Sequence, residues 1–185
     1  SSDLAIGGFG RGELYPYSDL DLAVVSSETV SDDLPRLSAT VKTARLMVVS
    51  ICPSTEDTLH GELFHGETGV LLDNMLAAIR LSPQQAHKTS WVKAAPVFSP
   101  HPSEAQIHAE LPALKHELES SQARAVLFLG QVFEQKEMMA VMEELCGGIP
   151  YFTIPHPARL LMQPQLKAQA WQILKPLKQL LAKAV

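Results

Sequence analysis

Asp3-Leu-Ala-Ile-Gly-Gly-Phe-Gly-Arg-Gly-Glu-Leu-Tyr-Pro-Tyr-Ser-Asp-Leu-Asp-Leu-Ala-Val-Val25 sets a glycine-dense turn and two aspartates, two residues apart, inside one short apolar window. Residues 4–6 form an apolar run broken by Gly7 and Gly8. This pattern predicts a buried strand that enters a turn and brings backbone close to a ligand. Residues 20–25 form a second apolar run. Side chains alternate across a strand, so Asp19 and Asp21 are expected on one face, with Leu20 and Leu22 on the other. Two carboxylates in one small volume raise each other's pKa or recruit a hard cation such as Mg2+, which favours carboxylate and phosphate oxygens. Gly7, Gly8, Gly10 and Gly12 are placed to turn successive N–H groups toward phosphate, and Arg11 adds a planar fork suited to the same oxygens.

The spacing Gly8-x-Gly10-x-Gly12 is not the dinucleotide fingerprint G-x-G-x-x-G, and no G-K-[ST] follows to make a P-loop. Residues 7–22 do resemble the signature of the polymerase-β-type nucleotidyltransferases, most closely the branch that contains the bacterial PII uridylyltransferase/uridylyl-removing enzymes. The resemblance implies phosphate binding at Gly7 and Gly8, and metal binding and catalysis at Asp19 and Asp21. It implies an α/β (α+β) nucleotidyltransferase core with a small mixed sheet over residues 1–95; the helical spacing of apolar residues predicts a mainly helical C-terminal region over residues 96–185, a place for substrate or partner recognition. Beyond about residue 80 the resemblance offers nothing further.

The 185 residues suffice for one domain with a core, or for a small α/β domain with a helical appendage. No apolar run approaches the ~20 residues needed to span a bilayer. Cys52 and Cys146 are isolated, so neither a zinc knuckle nor a disulfide framework is expected, and a reducing cytoplasm fits best. The net charge is −5, and residues 157–185 carry five basic and no acidic side chains. The remaining body is therefore acidic, which predicts against a nucleic-acid partner. The motif begins almost at Ser1, and a segment preceding it is expected.

Ser31-Asp32-Asp33 reads as a helix cap before a helix over 34–45, and residues 46–52 as a buried strand stopped by Pro53. The resemblance implies a third carboxylate on a strand after Asp21, and residues 46–52 contain none. Glu56 and Asp57 are the nearest acids, and the Ser54-Thr55 pair assigns them more naturally to a helix N-terminus. His60 and His65, five apart, do not share a helix face as zinc ligands would. Residues 69–81 predict a helix with one buried face. The prolines at 83, 96, 100 and 102 mark a connector, with a short helix over 86–95 as an alternative inside it and Trp91 as a packing residue. Beyond it, residues 104–119 and 122–145 read as amphipathic helices, the second stopped by Gly147-Gly148. Residues 149–157 read as a proline-punctuated loop or short strand, and residues 158–185 as a helix broken near Pro164 and Pro176.

The expected activity is metal-dependent transfer of a nucleotidyl group from a nucleoside triphosphate to a hydroxyl, with a protein acceptor if the uridylyltransferase-like resemblance extends to substrate. Gly7, Gly8 and Gly10 would cradle phosphate, Arg11 would relieve charge, and Ser18 would donate to a phosphate oxygen. Asp19 and Asp21 would hold Mg2+. The alternative is a nucleotide-binding or regulatory module of the same fold without chemistry, for which the missing third carboxylate argues. An antibiotic- or tRNA-modifying transferase fits less well, because tRNA requires more positive charge than the body carries.

Overall fold

The computed structural model describes residues 35–38, 40–96, 99 and 101–183. Gly7, Gly8, Gly10, Arg11, Ser18, Asp19 and Asp21 all lie outside them.

The architecture follows from four short apolar runs that pair laterally. β1 (Leu46–Ser50), β2 (Ala86–Ser90), β3 (Ala125–Leu129) and β4 (Tyr151–Ile154) form one sheet in the order β2-β1-β3-β4, with every neighbouring pair parallel. β1 and β3 are buried along their whole length, as strands covered on both faces must be. The side chains of β1 alternate between the two layers. Leu46 and Val48 enter a core with α2 (Glu67–Ala78), α5 (Pro157–Met162) and α6 (Lys167–Lys183). Met47 and Val49 enter a second core with α3 (Glu104–Ser121) and α4 (Lys136–Cys146). The two cores make a three-layer α/β arrangement around a buried sheet.

The expected α/β class holds, and residues 96–185 are helical over most of their length, but they also supply two strands to the sheet, which among the described residues is parallel rather than mixed. Among the described residues the four strands are all parallel; β3 comes from the stretch that reads as helical, and β4 from residues 149–157, where a loop or short strand is expected. Residues 122–145 divide into β3, a 3-10 turn at Gln131–Glu134 and α4. Ala125-Val-Leu-Phe-Leu129 is apolar at every position, so its periodicity does not distinguish a buried strand from a buried helix. Gly130, at φ 127, ends it. Residues 86–90, expected in a connector or short helix, form an edge strand. Described residues between 35 and 44 have no helix.

Several local expectations are met. α1 (Thr55–His60) begins at a Ser54 capping box, and α4 ends at Gly147 in the left-handed conformation. Trp91 is fully buried, its ring packed near Phe128 and Phe133, and its Nε1–H donates to Ile107 O at 2.9 Å. Pro176 does not break α6. No helix among the described residues is long and apolar enough to cross a membrane.

Candidate functional site

In a parallel sheet whose first strand lies in the middle, connections leave the first strand in opposite directions, and a crevice opens at the carboxyl ends of the strands. Here β1 sits between β2 and β3, so this rule points to the end of the sheet where β1 runs into Ile51-Cys52-Pro53-Ser54. The walls there are held by backbone hydrogen bonds. Trp91 N–H donates to Ser50 O at 2.7 Å, Val92 N–H to Ile51 O at 3.0 Å, and Gly130 N–H to Ile154 O at 2.9 Å.

Asp57 anchors the loop after β1. Its Oδ2 accepts from Ser54 N–H at 3.2 Å and its Oδ1 from His65 N–H at 2.9 Å, while Ser54 Oγ accepts from Asp57 N–H at 3.0 Å. The carboxylate is buried, at 6% exposure. Its two oxygens satisfy donors that a helix start and a tight loop would otherwise leave open. The loop turns through Gly61, Phe64 and Gly66, all at positive φ. A Cβ on Gly69 would lie 2.1 Å from Phe64 O, so only glycine lets the first turn of α2 approach this closely.

The loop carries Phe64 to His156, which follows β4; the rings lie 5.9 Å apart with a 32° tilt. Burial pushes the His156 pKa down, and the charge of Asp57 opposes that shift more weakly. The imidazole is therefore neutral at pH 7. Its Nδ1 accepts from Ala158 N–H at 3.1 Å, which leaves Nε2 as the protonated, donating nitrogen. His60 and His65 stack at 3.7 Å beside this loop, His65 Nδ1 lying 2.8 Å from Glu62 Oε2. Cys52 is partly buried; desolvation, then the Asp57 charge, push its thiol up to about 11.

Both acids weighed as a third metal ligand lie among the described residues, apart from Asp19 and Asp21 in the sequence. Asp57 is occupied by backbone N–H groups, and Glu56 is exposed on the first turn of α1, 3.9 Å from His60 Nδ1. Burial pushes Cys146, at the end of α4, to about 12. A four-thiolate zinc or iron–sulfur site needs four cysteines, and this sequence holds two, Cys52 and Cys146. Among the described residues no group of three His, Cys, Asp or Glu is placed to hold a metal.

Residues 38–177 match the uracil DNA glycosylase superfamily, and the chain belongs to that family. It is 25% identical over 142 residues to the type-4 uracil-DNA glycosylase of Archaeoglobus fulgidus, covering 68% of this chain and 71% of that protein. It is also 34% identical over 112 residues to the bifunctional uridylyltransferase/uridylyl-removing enzyme of Neisseria meningitidis serogroup A, and 47% identical over 34 residues to that of Photobacterium profundum. The first of these covers 53% of this chain and the chain spans 13% of that enzyme's length; the second covers 18% of this chain.

These findings correct the reading drawn from residues 7–22. That motif lies outside the family match, and sixteen residues do not define a fold, whereas residues 38–177 include all four strands of the sheet. Nucleotidyl transfer, with its triphosphate substrate, Mg2+ dependence and protein acceptor, is not the activity to which the family points. The expectation against a nucleic-acid partner is overturned as well. Its premise, an acidic body, is largely local and leaves out the basic residues 157–185. Residues 1–34 hold seven acids and one arginine, a balance of −6, whereas residues 35–183 hold fourteen Lys and Arg against thirteen Asp and Glu, a balance of +1. The sequence reading also missed Phe64 and His156. Pro155-His156-Pro157, after a short and mostly apolar run, was the available signal for the second.

Proposed function

We propose that this chain acts on DNA as a uracil-DNA glycosylase, receiving a nucleotide turned out of the helix at the carboxyl edge of β1 and β4. The observation that carries this reading is the meeting of Phe64 and His156, brought from different elements to the crevice of a fold of this family. An enzyme that works on a base takes it out of the stack, holds it against an aromatic face and reads its hydrogen-bonding edge. Phe64 offers the face. The neutral His156 offers Nε2–H to a base carbonyl oxygen, on which negative charge develops as the glycosidic bond breaks. Asp57 holds the loop that carries Phe64, and its carboxylate sits near enough to influence His156. The free cysteines fit a reducing cytoplasm.

The test is release of uracil from single- and double-stranded oligonucleotides, read by alkaline cleavage at the abasic site. The native chain is expected to cut uracil-containing strands and to leave thymine-containing strands intact. His156→Ala is expected to lower the rate by about 10²-fold, the scale for loss of one donor to a developing oxyanion, and Phe64→Ala to weaken binding of the base. A second reading has one observation in its favour: both oxygens of Asp57 are engaged by backbone N–H groups rather than turned to a water. Selective binding of uracil-containing DNA without cleavage would favour it, and would make the chain a base-binding member of the family.

A further inference from the structure

At the opposite, amino end of the sheet, Arg45, Arg80 and Lys178 line a cavity of about 390 Å³ together with Ile79, Leu181 and Ala182. They come from three separate places. Arg45 immediately precedes β1, Arg80 follows the C-cap of α2, and Lys178 lies in the later half of α6. Among the described residues no carboxylate lines the cavity, and none of the three cations is ion-paired with a carboxylate.

A simpler account is that these cations only balance the negative ends of α2 and α6, and in part they do. An Arg45 Nη donates to Leu181 O in the last turn of α6. Magnitudes decide how far this account reaches. A helix C-terminus carries about −0.5 charge, so two of them leave a balance of about +2 against three cations. Each guanidinium has five N–H donors, and one bond to a carbonyl leaves Arg45 with most of its own. The backbone of Arg45 is fixed from both sides, its N–H donating to Gln85 O at 2.8 Å and its carbonyl accepting from Arg124 N–H at 3.0 Å.

We infer that this cavity is a binding site for a phosphomonoester. A phosphomonoester carries about −1.5 to −2 charge at pH 7, matching the surplus, and its oxygens fit guanidinium forks. The apolar wall of Ile79, Leu181 and Ala182 suits an attached organic body, and the volume falls in the range of small-molecule sites. The five residues of β1 set this site roughly 17 Å from the carboxyl edge, at ~3.3 Å per residue. It therefore stands independently of the base site proposed above.

The test uses the full chain in calorimetric titrations with adenosine monophosphate, inorganic phosphate and adenosine, and with a short oligonucleotide bearing either a 5′-phosphate or a 5′-hydroxyl. Saturable binding of the monophosphate but not of adenosine is expected, unchanged in Phe64→Ala. The two oligonucleotides distinguish a free metabolite from a strand terminus as the source of the phosphate. The double variant Arg80→Gly with Lys178→Gln should lower affinity at least tenfold and keep the fold, because Arg80 sits at φ 66, where glycine is at ease. Equal affinity for adenosine, no saturable binding of any phosphate compound, or undiminished binding by the double variant would overturn the inference.

Discussion

Asp57 Oδ1 accepts the backbone N–H of His65 at 2.9 Å, across eight residues, and so closes the loop that presents Phe64. The same carboxylate caps α1 through Ser54 N–H. One side chain thus joins the start of a helix to the geometry of the candidate site. Asp57→Ala is expected to destabilise the protein by about 2 kcal/mol, at the upper end for loss of an N-terminal cap. Asp57→Asn, which retains one acceptor oxygen, should cost less. Urea denaturation of the three proteins measures both. Equal stability of Asp57→Ala and the native chain would show that the loop closes without this carboxylate.

Gly69 is required by Phe64. With a Cβ placed 2.1 Å from Phe64 O, Gly69→Ala must displace either the loop or the first turn of α2. Overpacking of this kind costs typically 1–3 kcal/mol. The expected result is a lower melting temperature together with weaker binding of uracil-containing DNA, since Phe64 moves with its carbonyl. A crystal structure of Gly69→Ala with Phe64 in place would refute this coupling.

A buried ion network braces β2 against α3. Glu117 Oε2 lies 2.6 Å from Lys93 Nζ and its Oε1 3.0 Å from His87 Nε2, while Lys93 Nζ also donates to Thr89 Oγ1 and Ser90 O. Glu117→Ala leaves the Lys93 charge without its partner and is expected to cost about 3–5 kcal/mol. Desolvation pushes the Glu117 pKa up, but hydrogen bonds from His87 and Lys93, the Lys93 charge and Thr89 together bring it below the usual 4.5. A carboxylate with a depressed native pKa contributes stability that is full above its unfolded value and is lost as pH falls through the lower native one. Melting temperatures of the native chain and Glu117→Gln should therefore differ most at neutral pH and converge as pH falls through the lowered native value. A difference independent of pH would assign the effect to packing rather than charge.

His156 titrates in the opposite sense to a histidine with an acidic partner. Burial lowers its pKa from 6.5, with Asp57 opposing more weakly, so the native protein takes up this proton less readily than the unfolded chain does. The resulting stability is full above pH 6.5 and declines as pH falls through the native value. Titration of the His156 ring protons by NMR should give a midpoint below 6.5, and uracil excision should fall as that proton binds Nδ1. A midpoint above 6.5 would place His156 in contact with an ionised acid.

Local physics made part of this fold readable in advance. The Ser54 capping box, the β1 strand ending before Pro53, α3 and the Gly147 stop each depend on residues within a few positions of one another. β3 was not readable, because five consecutive apolar residues satisfy strand and helix alike, and only pairing with β1 and β4 makes them a strand. β2 was hidden differently. His87, Lys88 and Thr89 look polar, but His87 and Thr89 are buried against partners on α3 and the following turn. The glycine and aspartate motif was the densest local signal in the chain, and it lies apart from the residues that define the family.

What the sequence determined by itself is what short-range geometry enforces: the caps that start α1 and α3, the stop after α4 at Gly147, and the apolar run that becomes β1. Tertiary structure alone decided the strand order and the meeting of Phe64 with His156, 92 positions apart in the numbering. It also gathered Arg45, Arg80 and Lys178 at one end of the sheet. The physical reason is common to all three. Lateral strand pairing and side-chain convergence depend on partners distant in the chain, and no local period encodes them.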